Sequence, residues 1–305
     1  MTRSSAATRS DLRDALSGVR GEVRFDEPLA KYTSMKIGGP ADALVVPADE
    51  EDLRRVVLAA RAARVPVMVL GGTNVVVRDG GVAGVVLRLS GLKTVRPAGV
   101  NRLYAEAGGP FPTLAHAAKD AGLAGLEFAC GIPGTVGGAI VMNAGTRDGE
   151  IADVLESARL MTLEGETVEI PAPQLEFRYR ESHLPPGVLV GCTVVLRPDD
   201  PQAIDARMQV ILEYRRRTQP LHLPNAGCIF KNPPGRSAGQ LIDELGLKGY
   251  RIGDVQISER HANFMVNVGA GTAKELTALI RHVGGRVERE RGITLEMEVK
   301  LVGRE

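Results

Sequence analysis

The stretch from Asp49 to Leu89 constrains the fold of this chain more than any other part, because it sets one helix signal beside two strand signals with a glycine turn between them. Asp49 is placed to cap a helix whose apolar face carries Leu53, Val56, Val57 and Ala60. Val65–Leu70 and Val85–Leu89 are Val/Leu-rich and read as buried strands. Gly71-Gly72-Thr73-Asn74 follows the first of them directly, a turn in which backbone N–H groups can converge on an anion. It leads into another apolar run, Val75–Val77, rather than into a helix. The chain has no G-x-x-x-x-G-K followed by Ser or Thr, and no G-x-G-x-x-G that follows a strand and opens a helix. Both a P-loop NTPase and an ordinary Rossmann dehydrogenase are therefore disfavoured.

Further along, a helix is expected over Pro112–Ala121 and strands over Arg159–Leu163, Thr167–Ile170 and Val188–Leu196, with Gly165 at a hairpin turn. Asp199-Asp200-Pro201 opens a long helix, Gln202–Arg217, which closes on Arg215, Arg216 and Arg217. The remainder reads as helix Ser237–Leu245, strand Ala262–Val268, helix Thr272–Arg289 and strand Ile293–Val302. A domain boundary is expected at 199/200, and 305 residues suit about two domains at roughly 100–200 residues each. Residues 1–19 read as a partly flexible N-terminal tail, with MTRSSAATRS frayed, and 200–305 as a smaller α+β domain.

Lys and Arg number 38 against 37 Asp and Glu, so no overall charge draws the chain to nucleic acid or an anionic membrane. The absence of Trp, with 6 Phe and 5 Tyr, leaves few surfaces for stacking bases. No apolar run approaches the ~20 residues that span a bilayer, and the basic start meets Asp11 and Asp14 instead of an apolar signal core. Cys130, Cys192 and Cys228 are far apart and odd in number, which argues against a disulfide framework or structural zinc and for a reducing cytoplasm. The five histidines show no metal-binding spacing.

Three glycine clusters stand in the first half: Gly38-Gly39-Pro40, Gly71–Asn74, and Gly131-Ile132-Pro133-Gly134-Thr135-Val136-Gly137-Gly138. One alone is ordinarily a turn; three together suit a diphosphate gripped by main-chain donors, with no dedicated lysine. In Phe177-Arg178-Tyr179-Arg180-Glu181-Ser182 the arginines flanking a tyrosine are either a solvated loop or a grip on a carboxylate or phosphate. Pro224–Pro234 places Cys228, Lys231 and Asn232 among turn residues. In Leu295-Glu296-Met297-Glu298-Val299, strand alternation sends both glutamates to one side, opposite Leu295, Met297 and Val299.

In this order, these segments resemble the UDP-N-acetylenolpyruvoylglucosamine reductases (MurB), from Tyr32 to Gly303. The carrying motifs are Tyr32–Gly39, Leu70–Asn74, Gly131–Gly138 with Asn143-Ala144-Gly145, Tyr179–Ser182, Ala226–Pro233, His261–Phe264 and Leu295–Val299. The resemblance implies an α+β flavoprotein with a two-lobed FAD-binding region of the PCMH/vanillyl-alcohol-oxidase type over 1–199, its lobes about 20–92 and 93–199, and a C-terminal substrate domain over 200–305. The short step from Glu181-Ser182 to Val188 matches the shorter, type II subtype. It further implies a cytoplasmic UDP-N-acetylmuramate dehydrogenase of peptidoglycan synthesis, serving cell shape and division. Non-covalent FAD is reduced by NADPH, and UDP-N-acetylglucosamine enolpyruvate then takes a hydride at its terminal vinyl carbon.

Carried over by motif, Gly71, Gly72, Thr73, Asn74, Val75, Gly131, Ile132, Pro133, Gly134, Gly137 and Gly138 bind the cofactor. Arg180 and Glu298 stabilise charge on C2 and its carboxylate, Glu298 in a protonated form, and Cys228 stands at the proton-donor position. Tyr179, Arg217, Lys231 and Asn232 are candidates for the substrate phosphates and carboxylate. The commoner family pattern has serine where Cys228 stands, and a thiol of ordinary pKa near ~8.5 remains a reasonable proton donor. Two rivals stay open: an FAD-linked oxidase or dehydrogenase of the same fold, and a catalytically silent flavin- or nucleotide-binding module.

Overall fold

The structure is a computed structural model that describes residues 9–305. Residues 1–8 of the expected tail lie outside the described residues. From Arg9 the chain forms helix α1, Arg9–Ala15, and Leu12 and Leu16 are only 5% and 3% exposed. Leucines four apart meet on one helix face, and that face joins an apolar core.

The chain divides into two units that interleave in sequence. One holds the chain to Glu27, Asp42–Gly71 and Gly84–Leu212; the other holds Pro28–Ala41, Gly72–Ala83 and Glu213–Glu305. The expected break at 199/200 thus differs from the observed division. Helix α5, Pro201–Thr218, buries Ile204 and Met208 in the first unit's core, which keeps residues up to Leu212 there. Met35, Ile37 and Val76 belong to the second unit's core, and Val75–Val77 pair in parallel with Lys300–Val302.

In the first unit, helix α2 (Glu50–Ala62) forms where expected: Asp49 accepts from Asp52 N, and Leu53, Val56, Val57 and Ala60 are buried. Each of the larger three contributes roughly 1.5–3 kcal/mol by leaving water. Asp52 is buried in the same turn and accepts hydrogen bonds from the backbone N–H groups of Arg20, Gly21 and Ala48 at 2.8, 2.9 and 3.0 Å. Burial alone raises the pKa of this carboxyl; the three donors outweigh it and hold the group below its ordinary value. A four-stranded sheet runs in the order Glu22–Pro28, Pro40–Val46, Val82–Leu87, Val67–Val69, the last two parallel. A second sheet of five antiparallel strands runs Thr167–Pro171, Leu155–Thr162, Gly187–Val195, Arg102–Glu106, Val95–Pro97. Helices α3 (Phe111–Asp120) and α4 (Val136–Val141) pack into the same core.

In the second unit an antiparallel sheet runs Asn225–Cys228, Phe264–Asn267, Val255–Ile257, Arg251–Ile252. Helices α6 (Ala238–Glu244), capped by Ser237, and α7 (Ala273–Arg291), with a Thr272–Glu275 capping box, bury Leu241, Ile242, Leu276, Leu279, Ile280, Val283 and Val287 in its core. The strand expected over Ile293–Val302 is corrected: only Lys300–Val302 is a strand, preceded by a single bridge between Phe230 and Met297. Because the stretch is irregular there, Leu295 and Val299 are buried as expected but Met297 is 38% exposed.

Candidate active site

Gly71-Gly72-Thr73-Asn74 ends the Val67–Val69 strand region and feeds the strand Val75–Val77. Gly72 has φ +88°, and a Cβ there would collide with the Tyr32 carbonyl oxygen, so only glycine fits. Among the described residues, the N–H groups of Gly71, Gly72, Thr73 and Asn74 have no acceptor. The same holds for Gly134, at φ +123°, and for Thr135. A Cβ on Gly71 would stand 3.4 Å from Thr135 Oγ1, so within the first unit Gly71 adjoins the 131–138 loop. In each loop, unspent main-chain donors beside glycines suit an anion such as the oxygens of a diphosphate.

The rest of the 131–138 loop is used differently. Val136, Gly137 and Gly138 spend their N–H groups on Gly109 O, Ala107 O and Thr135 Oγ1 at 2.9, 2.8 and 3.1 Å. Gly137 permits close packing, since a Cβ would approach Ala107 Cβ to 3.1 Å. Gly131, Ile132 and Pro133 lead into the loop, where Ile132 N donates to Ala129 O. Val75 begins the parallel pairing with Lys300. The first cluster, Gly38–Pro40, is structural: Gly39 N donates to Arg78 O at 3.1 Å, and a Cβ on Gly39 would strike the main chain of Asp79.

In the first unit, Arg178 and Glu181 exchange backbone hydrogen bonds of 2.9 and 3.1 Å across a tight turn that holds Arg180 at φ +59°. A non-glycine residue there is strained by on the order of 1–3 kcal/mol, so the surroundings must enforce it. The buried Asn143 does this, donating from Nδ2 to Arg178 O at 3.0 Å and accepting from Ala152 N at 3.3 Å. Arg180 donates in turn to Gly145 O at 2.7 Å and Asn143 O at 3.4 Å, and lies 4.9 Å above the exposed Tyr179 ring.

In the second unit, Cys228 closes the strand Asn225–Cys228 opposite Phe264. The pairing is irregular before it: Gly227 has φ +77° and donates to Asn225 Oδ1 at 3.0 Å, a bulge that re-aims the half-buried Cys228. The next residue, Ile229, donates to Asn263 O at 2.9 Å and accepts from Glu298 N at 2.8 Å, which sets Cys228 and Glu298 on adjoining stretches of chain. Lys231 N donates to Glu296 O, and its Nζ lies 2.6 Å from Glu296 Oε1, the lysine 12% and the glutamate 71% exposed. Asn232 Oδ1 accepts from Ala238 N at 3.0 Å, so that oxygen caps α6. Arg217 is exposed in the last turn of α5, and its side chain has no hydrogen-bond or ion-pair partner among the described residues. His261 accepts from Asn263 N at Nδ1, and burial, helped by Lys248, pushes its pKa down, which keeps the ring neutral.

Four polar residues shape these groups without having been given that role from sequence. Besides Asn143, Asn263 accepts from Phe230 N and donates to Phe230 O, at 3.0 and 2.8 Å, from a buried position. Ser34 donates from its N–H to Gly72 O at 2.7 Å and from its hydroxyl to Asn225 O at 2.6 Å. Asn74 directs its amide to Glu298 O. Each sits inside a quoted motif, and the one local signal is a polar side chain in an apolar run, such as Asn263 between Ala262 and Phe264. Among the described residues, no group of three or more potential ligands could hold a metal, and no helix is long and apolar enough to cross a membrane.

Residues 41–171 match the FAD binding domain profile, and residues 219–302 match that of the UDP-N-acetylenolpyruvoylglucosamine reductase C-terminal domain. The chain is 45% identical over 290 residues to a UDP-N-acetylenolpyruvoylglucosamine reductase of Geobacter metallireducens, covering 94% of this chain and 96% of the relative. To the reductase of Streptococcus agalactiae it is 45% identical over 285 residues, covering 92% and 95%. A crystal structure of the reductase from Thermus caldophilus superposes with a TM-score of 0.80 at 41% identity, covering 93% of this chain and 99% of that one.

Proposed function

Because the chain belongs to the UDP-N-acetylenolpyruvoylglucosamine reductase family, we infer that it reduces UDP-N-acetylglucosamine enolpyruvate to UDP-N-acetylmuramate, with NADPH as reductant and FAD as bound cofactor. The observation that carries this is 45% identity over 94% of the chain. The product is a precursor of peptidoglycan. FAD, when bound, takes two electrons from NADPH and delivers them to the substrate vinyl group.

The unspent N–H groups of Gly71–Asn74, Gly134 and Thr135 hold the cofactor diphosphate in this reading. Residues 1–199 are the FAD-binding part and 200–305 the substrate-binding part, although the compact units interleave across that division. Reduction of the vinyl group leaves negative charge on C2 and its carboxylate. Arg180, oriented by Gly145 O and Asn143 O, faces that charge with a planar cation. Glu298, in its protonated form, donates a hydrogen bond to it. Cys228 gives its thiol proton to C2, completing the saturated lactyl group. Tyr179, Arg217, Lys231 and Asn232 hold the substrate's phosphates and carboxylate. The cytoplasm is the compartment, and cell shape and division are the processes served.

The test follows NADPH consumption by the purified flavoprotein without oxygen, with and without UDP-N-acetylglucosamine enolpyruvate. Substrate-dependent consumption that yields UDP-N-acetylmuramate is expected, and Glu298→Gln should largely abolish it, leaving a slow residual rate, while flavin stays bound. NADPH oxidation that needs oxygen instead of the enolpyruvyl sugar would overturn the reading in favour of an oxidase.

A further inference from the structure

We propose that Asn74 is a positioning residue whose side-chain amide holds the main chain of Glu298, so that the turn which takes the cofactor diphosphate also sets the carboxyl group that acts on the substrate; this rests on the function inferred above.

Glu298 lies in a stretch that lacks a strand's regular pairing. Met297 makes one isolated bridge to Phe230, and the strand begins only at Lys300. A regular ladder would define the backbone of each residue; here individual contacts must do so. On one side Glu298 N donates to Ile229 O at 2.8 Å. On the other, Asn74 Nδ2 donates to Glu298 O at 3.0 Å, and Asn74 O accepts from Lys300 N at 3.0 Å. Asn74 therefore brackets the buried Val299 and fixes the peptide groups on both sides of it.

The donor is also specific. An aspartate of the same shape presents an acceptor to the Glu298 carbonyl, and an alanine removes the Asn74 donor altogether. The amide is therefore occupied with protein, while the Asn74 N–H remains among the unspent donors of the turn. One residue thus serves both groups, the cofactor through its backbone and Glu298 through its side chain. Ser34 steadies the same turn from a third direction, through Gly72 O.

A double-mutant cycle tests this with Asn74→Ala, Glu298→Gln and the pair. NADPH-reduced enzyme is mixed without oxygen with UDP-N-acetylglucosamine enolpyruvate, and flavin absorbance reports reoxidation. Flavin content after gel filtration and amide hydrogen exchange over residues 296–300 are read in parallel. Asn74→Ala should slow reoxidation at least ten-fold more than it slows reduction by NADPH, and should speed exchange over 296–300 at least ten-fold. In the Glu298→Gln background the same change should alter reoxidation less than two-fold. An equal loss in both backgrounds, or unchanged exchange, overturns the proposal. If Asn74→Ala sheds flavin, Asn74→Asp repeats the cycle, and flavin loss from both assigns the side chain to the cofactor and refutes the clamp. Failure of the unaltered enzyme to be reoxidised by the sugar refutes the inferred function, while exchange still decides the clamp.

Discussion

Asn263 is the most exacting test of how this chain holds its second unit together. Its two amide atoms meet both polar groups of one buried residue: Oδ1 accepts from Phe230 N at 3.0 Å and Nδ2 donates to Phe230 O at 2.8 Å. Asn263→Ala removes both partners at once. Phe230 is buried, so water does not replace them, and each orphaned backbone group costs about 1–3 kcal/mol. The sum is about 4 kcal/mol, a large share of the roughly 5–15 kcal/mol that holds a domain folded. With a urea slope of about 2 kcal/mol per molar, the unfolding midpoint should fall by about 2 M. The chain has no Trp, so far-ultraviolet circular dichroism on the flavin-loaded protein is the suitable probe. Turnover should fall as well, because Cys228 precedes and Glu298 bonds to the Ile229 that Asn263 O anchors. Asn263→Asp keeps an acceptor for Phe230 N but turns an oxygen toward Phe230 O, and should be no milder. A midpoint shift below about 0.5 M for Asn263→Ala would refute the reasoning.

Three further outcomes are expected. Asp52→Asn should destabilise the protein by about 2 kcal/mol at neutral pH, since the backbone bonds lose their charge assistance and at least one of the three N–H groups then faces an amide nitrogen. The folded pKa of Asp52 is depressed, so its contribution is present above the unfolded value near ~3.9 and is lost as pH falls through the folded value; urea midpoints of the two proteins should therefore converge in acid. Gly72→Ala forces φ +88° on an L-residue and a collision with Tyr32 O, and should weaken FAD binding at least ten-fold by equilibrium titration; undiminished affinity would remove Gly72 from the cofactor turn. Cys130 and Cys192 are buried, and burial pushes the Cys192 thiol up to about 12, so peroxide and iodoacetamide should act on the half-buried Cys228. Peroxide should inactivate the enzyme reversibly by thiol reductant, and peroxide resistance equal to that of Cys228→Ser would overturn this.

Much of the local structure was legible because helix caps and apolar periods are local. Asp49, Ser237 and Thr272 each cap the helix expected after them, and Gly165, at φ +82°, turns the expected hairpin. The stretch Ile293–Val299 was misread for the same reason: alternation of Leu295, Met297 and Val299 imitates a strand, but only Met297 finds a bridging partner. Helix α1 was not legible because Leu12 and Leu16 are too few to stand out, yet a tertiary core takes them in.

The sequence by itself determined that this is a two-part α+β flavoprotein of a recognisable family, because glycine turns, caps and motif order are written along the chain. Tertiary structure decided how the parts are cut and what each asparagine does. Val75–Val77 pair with Lys300–Val302, Asn74 bonds to Glu298, and Ser34 bonds to Asn225, all across long separations in sequence. An amide side chain offers a donor and an acceptor to whichever backbone comes within about 3 Å, and only the folded chain settles which backbone that is.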